Sequence, residues 1–193
     1  MILSGEVNND MLAVALVGAS EYFLCTQGGD TDIARAVADL MLGRAITAGG
    51  TVASSGIPIF AAAARRLALP STIFLWHRPY ATDLGVSRGD DLAVLRHGLD
   101  GWYDWACTLL GETTQRSAEF WSQLGAKAGT EFTAYDALEY GLCHGLTRQL
   151  SDTLLQSVQA THHAMRGHGD SGHYDGDLGK NLTRQSPPPV RRA

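Results

Sequence analysis

Ser54, His77 and the pair Gly28-Gly29 are the residues whose types and positions could carry chemistry, and that chemistry would be acyl transfer. Such a reaction needs a nucleophile, a base within reach of it, and backbone N–H groups aimed at the developing oxyanion. Ser54 stands where a strand-like run gives way to a helical one, so its hydroxyl would project from a tight turn. The N–H of Ser55 would then lie at a helix start, without an intrahelical acceptor. Gly28 and Gly29 follow the preceding strand-like run, and residues without Cβ let backbone approach a substrate closely. The N–H groups of Gly29 and Ser55 are therefore the expected oxyanion donors. His77 ends the strand that follows the Ser54 helix, and a strand, helix and strand form one crossover unit whose strand ends converge. A histidine there can accept the serine proton. Singly, each feature has an ordinary role as a turn, a helix cap or a surface histidine. The weight lies in their joint occurrence at the ends of neighbouring strands.

The elements that must position these groups alternate between strand and helix. Ile2 to Val7, Tyr22 to Thr26, Ala45 to Val52 and Ser71 to Trp76 read as strands. Helices are expected from Asn9 to Ser20, Asp30 to Leu42, Ser54 or Ser55 to Leu69, and Asp91 to Leu110, with shorter ones near Gln115 to Leu124 and Tyr135 to Tyr140. Alternation of this kind argues for an α/β fold with parallel strands joined by helical crossovers. Residues 1–150 form the expected single domain, 151–165 a C-terminal helical extension, and 166–193 a polar, Gly- and Pro-broken tail expected to be disordered.

The 193 residues suffice for one full core. A net charge of −5 gives no footprint for nucleic acid, because surfaces that neutralise phosphates need clustered Lys and Arg. The three cysteines lack C-x-x-C spacing, which argues against a disulfide framework or a zinc site. The first residues lack the charged and apolar regions of a signal peptide, and the longest apolar run is too short to span a bilayer. The expectation is a cytoplasmic protein without membrane or nucleic-acid partners.

Ile2-Leu3-Ser4-Gly5-Glu6-Val7, Thr26-Gln27-Gly28-Gly29-Asp30, Gly50-Thr51-Val52-Ala53-Ser54-Ser55-Gly56, His77-Arg78-Pro79, and Phe132-Thr133-Ala134 with Ala137-Leu138-Glu139-Tyr140-Gly141-Leu142 occur in that order. In order and spacing they resemble the motifs of the Clp protease proteolytic subunit, over roughly residues 2–146. The resemblance implies a crotonase-like repeated β-β-α spiral with a long handle helix. It makes Ser54 the nucleophile, His77 the base, and the Gly29 and Ser55 N–H groups the oxyanion hole of a serine-type endopeptidase. It further implies heptameric rings stacked into a chamber, peptide or unfolded-protein substrates, no cofactor, and a partner unfoldase of the Clp ATPase class. That family carries a segment ahead of the first strand that is used with the ATPase, whereas here the strand opens at Ile2. The family also places an acid four residues before the Thr133-Ala134 pair, where this chain has Gly129. Glu131, two residues on, is the remaining candidate to orient His77.

Lys127 could suggest a Ser-Lys dyad, but its Gly and Ala neighbours promise no desolvating pocket. His162, His163, His168 and His173 are imidazoles in a glycine-broken stretch and read as incidental rather than metal-binding. Trp102, Trp105, Leu109 and Leu110 form an apolar stripe on the long helix, either core or interface between rings, with a large interface share expected. Two alternatives stand beside the peptidase. One is a catalytically silent subunit of a mixed ring, which Gly129 favours. The other is a crotonase-family acyl-CoA enzyme, which would need neither Ser54 nor His77.

Overall fold

Buried apolar side chains anchor the first three strands, and register shifts interrupt both of their parallel pairings. The computed structural model describes residues 1–80, 89–126, 129–152 and 154–156. Strand β1 (Ile2–Val7) pairs in parallel with β2 (Glu21–Gly29), which pairs in parallel with β3 (Ala45–Ala53). Helix α1 (Asn9–Leu16) and helix α2 (Thr31–Met41) are the crossovers. The Asn8 side chain accepts from the N–H groups of Asp10 and Met11, and that of Asp30 from Asp32 and Ile33, so both helices start on side-chain caps.

β3 serves two neighbours in succession. Its first half pairs with β4 (Arg65–Ala68) from Ala45 to Ala48, and its second half pairs with β5 (Ile73–Trp76) from Thr51 to Ala53. Between the halves the register against β2 slips, from Leu24 opposite Ala48 to Thr26 opposite Val52. Gly49 and Gly50 occupy that slip, and Gly50 has φ +66°. Among the described residues the sheet has seven strands, with order β1-β2-β3-β4-β7 and β5 and β6 branching from β3. β6 (Thr130–Thr133) pairs antiparallel with β5, and β7 (Gly145–Leu146) pairs in parallel with β4.

The fold is the expected mixed α/β one with parallel strands, but the segment after Ser54 differs from expectation. Helix α3 (Gly56–Ala62) ends well before Leu69, and β4 takes up the remainder. All of Gly56 to Ala62 is buried, so the helix is central and carries no polar face by which to read its end. Strands β6 and β7 are likewise unanticipated, being four and two residues long, and β6 departs from the all-parallel expectation. Helices α4 (Gly89–Thr113), α5 (Ala118–Ala126) and α6 (Ala134–Glu139) fall close to where periodicity puts them. Beyond 150, the Ser151 hydroxyl donates to the Glu21 carboxylate and Leu154 is buried. Most of the expected extension and the whole 166–193 tail lie outside the described residues. No helix among the described residues is long and apolar enough to cross a membrane.

The apolar stripe of α4 is core rather than a free face. Trp102 is 4% exposed and Leu110 fully buried, while Trp105 and Leu109 pack against the core. The exposed apolar residues of α4 lie earlier, at Leu92 and Val94. The stripe is held inward because Phe74 and Trp76, on the inner face of β5, need covering: Trp76 stacks on Tyr103 at 5.5 Å, and its indole N–H donates to the Trp121 carbonyl at 2.9 Å. Burial is the first cause pushing Tyr103 up to about 12 and Cys107 up to about 11, so both are neutral packing groups at physiological pH.

Among the described residues Arg66 is the one buried charged side chain, and it ties the C-terminal elements together. Its guanidinium donates to the carbonyls of Leu142, Ala61, Ala63, Thr113 and Gly141, and its own N–H donates to His144 Nδ1. The ends of α3, α4 and α6 thus converge on one side chain. Arg66→Met is expected to leave several buried carbonyls unpaired and cost about 3 kcal/mol or more. Urea denaturation of the two proteins would measure it, and a loss below about 1 kcal/mol would show that the cage contributes little.

Candidate functional site

Ser54 is the only non-glycine described residue with positive φ, at +53°. A non-glycine residue in the left-handed region is held there at a cost of order 1 kcal/mol or more, and such residues concentrate at functional sites. Two backbone bonds hold it: Ser54 N–H donates to the Leu75 carbonyl at 2.8 Å, and the Ser54 carbonyl accepts from Ile57 N–H at 3.0 Å. The turn between β3 and α3 is thereby locked to β5, whose next residues are Trp76 and His77.

The glycine pair closes on this turn from β2. A Cβ at Gly28 would stand 2.6 Å from the Ser54 Cβ, and one at Gly29 would stand 2.6 Å from the Val7 carbonyl oxygen. Their φ values are +93° and +150°. Only glycine satisfies both the space and the conformation. Thr26 sets the bulge that delivers them: its hydroxyl donates to the Gly5 carbonyl and accepts from Gly28 N–H at 3.0 Å. Its methyl group lies where a Cβ on Gly56 would fall, at 2.4 Å, so the same side chain fixes the start of α3. Since the Gly28 N–H is taken by Thr26, the Gly29 N–H is the donor left for an oxyanion on this strand.

Ser55 is fully buried and does not cap α3 with its side chain. Its hydroxyl donates instead to the Gly29 carbonyl at 3.2 Å. The residue therefore acts through more than its N–H, because it clamps the two expected oxyanion donors to each other.

His77 continues β5 on the face opposite Phe74 and Trp76, alongside Leu75. Its Nδ1 lies 2.6 Å from the carbonyl oxygen of Arg78. Because a carbonyl can only accept, the contact is a hydrogen bond when Nδ1 carries the proton, and in the neutral imidazole that leaves the lone pair on Nε2, the tautomer a general base requires. The Arg78 N–H is anchored on the Gly125 carbonyl at 3.0 Å, which fixes the carbonyl's neighbourhood to α5. Ser54, His77, Gly28 and Gly29 line one open cleft of about 690 Å³, with Glu6 and Tyr80 at its sides.

The acid position is vacant in three dimensions as well. The β5–β6 register ends with Trp76 opposite Thr130, so its continuation sets Gly129 opposite His77. A Cβ on Gly129 would lie 3.9 Å from His77 Cβ. A second cavity, of about 350 Å³, opens between the two. Glu131 is exposed, pairs across from Leu75 one pleat away, and does not line either cavity. Lys127 and the four tail histidines lie outside the described residues, among which no cluster of three or more His, Cys, Asp and Glu could hold a metal. Thr26, the Arg78 carbonyl and the Ser55 hydroxyl are parts of the site that residue typing alone misses, since all three act through or upon backbone groups that any sequence supplies.

The fold thus brings a positive-φ serine, a histidine just beyond a strand end and a closely packed glycine pair to one cleft. The family profile described as Clp protease matches residues 21–149, and the chain belongs to that family. Among solved structures, a mutant of ClpP1 from Listeria monocytogenes superposes with a TM-score of 0.65 at 20% identity, covering 77% of this chain and 91% of that one. No curated protein matches the chain.

Ser55→Ala is expected to loosen the Gly29 peptide and cost about 1 kcal/mol of stability from the lost hydrogen bond. Any acylation rate at Ser54 should fall with it. Denaturation midpoints and labelling rates by a serine-reactive fluorophosphonate would check both, and an unchanged labelling rate would reduce Ser55 to its N–H.

Proposed function

We propose that this chain is a serine-type endopeptidase subunit that cleaves peptides or unfolded proteins, with Ser54 as nucleophile and His77 as general base. The N–H groups of Gly29 and Ser55 stabilise the oxyanion. The observation that carries the reading is the single cleft in which a positive-φ serine, a histidine with Nδ1 bonded to a carbonyl, and two closely packed glycines meet. Membership of the Clp protease family supports peptide-bond hydrolysis over the acyl-CoA alternative.

In this mechanism Nε2 of His77 takes the Ser54 hydroxyl proton as the oxygen attacks the scissile carbonyl. The tetrahedral oxyanion is met by the two N–H groups, which the crowding at Gly28 and the Ser55 hydroxyl hold in place before substrate arrives. His77 then returns the proton to the leaving amine. The Arg78 carbonyl keeps the tautomer but bears no full charge to balance the imidazolium. Hydrolysis is therefore slow beside that of a complete triad, in which the acid is worth on the order of 10⁴ in turnover.

Family membership also supports an oligomeric chamber, which we propose to be built of heptameric rings. The outward half of α4, with Leu92 and Val94 exposed, is a surface suited to contact between rings. A Clp-type ATPase is the proposed partner, the cytoplasm the proposed compartment, and residues 1–150 the proposed peptidase domain. One observation favours a second reading, a silent subunit in a mixed ring: among the described residues no carboxylate lines the cavity beside His77.

Fluorophosphonate labelling coupled to native mass measurement tests both. The expected outcome is labelling of Ser54 in a ring-sized particle, abolished in Ser54→Ala with stability changed by no more than about 1 kcal/mol. A ring that carries no label, and that labels only a second kind of subunit when one is added, would establish the silent reading instead.

A further inference from the structure

The cavity between His77 and Gly129 is floored by Leu75 and Ala126 and flanked by Arg78. Among the described residues that line it no side chain is a carboxylate, while two, His77 and Arg78, are cationic or can become so. Gly129 adds nothing to it, and even a Cβ there would meet only Leu75 Cδ1 at 3.4 Å and His77 Cβ at 3.9 Å. About 350 Å³ is ample for a formate, an acetate or a peptide carboxylate. The space lies beside an imidazole whose hydrogen-bond partner is a neutral carbonyl, 2.6 Å away. An anion placed there would be attracted by the guanidinium of Arg78 and would stabilise His77 in its charged form.

We propose that this cavity binds a carboxylate supplied from outside the chain, which completes the Ser54–His77 pair. The proposal rests on the peptidase reading above. In the step it assists, the Ser54 oxygen bonds to the scissile carbonyl carbon while its proton passes to His77 Nε2. The bound carboxylate displaces the Arg78 carbonyl as acceptor of the Nδ1–H and balances the imidazolium charge. The C–N bond then breaks, the amine leaves with the proton, and water repeats the sequence to release the acid and restore the serine. The carboxylate keeps its charge and is not consumed. Its source is either a small solute or an acidic group of the peptide being cleaved, and both present the same chemistry to the cavity.

The test uses the full chain and an uncharged, end-blocked fluorogenic peptide, with hydrolysis followed against rising sodium formate at constant ionic strength. The expected result is a saturable rise in kcat of about 10-fold or more that sodium chloride does not reproduce. Peptides with Asp or Glu near the scissile bond, compared with their Asn or Gln counterparts without formate, distinguish the substrate as the source. Binding is read separately in Ser54→Ala, where the ¹⁵N resonances of the His77 ring should move saturably with formate. Gly129→Asp should raise the formate-free rate and remove the formate response, with Gly129→Ala as control for the positive φ of +117° at that position. If neither formate nor acidic peptides alter rate or resonances while fluorophosphonate still labels Ser54, the proposal is overturned and the peptidase reading stands. If Ser54 takes no label in any condition, formate included, both fall.

Discussion

The close approach of three backbones, at the C-terminal ends of β1, β2 and β3, is the constraint on which this structure depends. Gly29 leaves no room for a Cβ against Val7, and Gly28 leaves none against Ser54. Because the nearest atoms are a backbone oxygen and a Cβ, the contacts cannot be relieved by a rotamer change, and the serine elbow has one position available to it. The strain at Ser54 persists because its N–H and carbonyl are both paired, to Leu75 and Ile57. Had either partner been missing, a buried polar group would add its own desolvation penalty to that strain.

That constraint is useful only because β3 divides its pairing. A strand paired with β4 along its whole length would leave β5 elsewhere, and His77 with it. The slip at Gly49 and Gly50 frees the second half of β3 for β5, so Ala53 stands opposite Leu75 and the elbow opens toward the end of β5. The aromatic packing of Phe74 and Trp76 against Phe60, Phe132 and Tyr103 then fixes β5 from below. Each buried ring contributes roughly 1.5–3 kcal/mol, far more than a reorienting histidine could draw upon. His77 is consequently carried by a rigid strand end, and only its side chain torsions remain to be set.

Those relations explain which parts of the molecule were legible in the residues and which were not. Ser54, His77 and the glycine pair sit at element ends, where a change of periodicity marks position, and the structure gathers them round one cleft. The end of α3 carried no such mark, because every residue from Gly56 to Ala62 is buried. Arg65 and Arg66 fall inside the stretch expected to continue the helix to Leu69, yet Arg66 is buried on a ring of carbonyls that no side-chain pattern encodes. The Trp102 stripe read as core or interface, with a large interface share expected, and the partner that holds it inward, Trp76, is distant in sequence. Likewise the acceptor for His77 Nδ1 is a main-chain oxygen, present at every residue and so invisible to residue typing.

The nature of that acceptor bears on what the site can do. A carbonyl and a carboxylate are interchangeable as far as the tautomer goes, since either one holds the proton on Nδ1 and leaves Nε2 basic. They differ once Nε2 takes up the serine proton, because the imidazolium then faces a partial negative charge in one case and a full one in the other. On the proposed reading, donors at Gly29 and Ser55 would act on the oxyanion, at the opposite end of the developing charge separation, and could not substitute for an anion beside the imidazolium. The proposed site would then stabilise negative charge through backbone donors and leave the positive charge to a neutral dipole and an adjoining cavity.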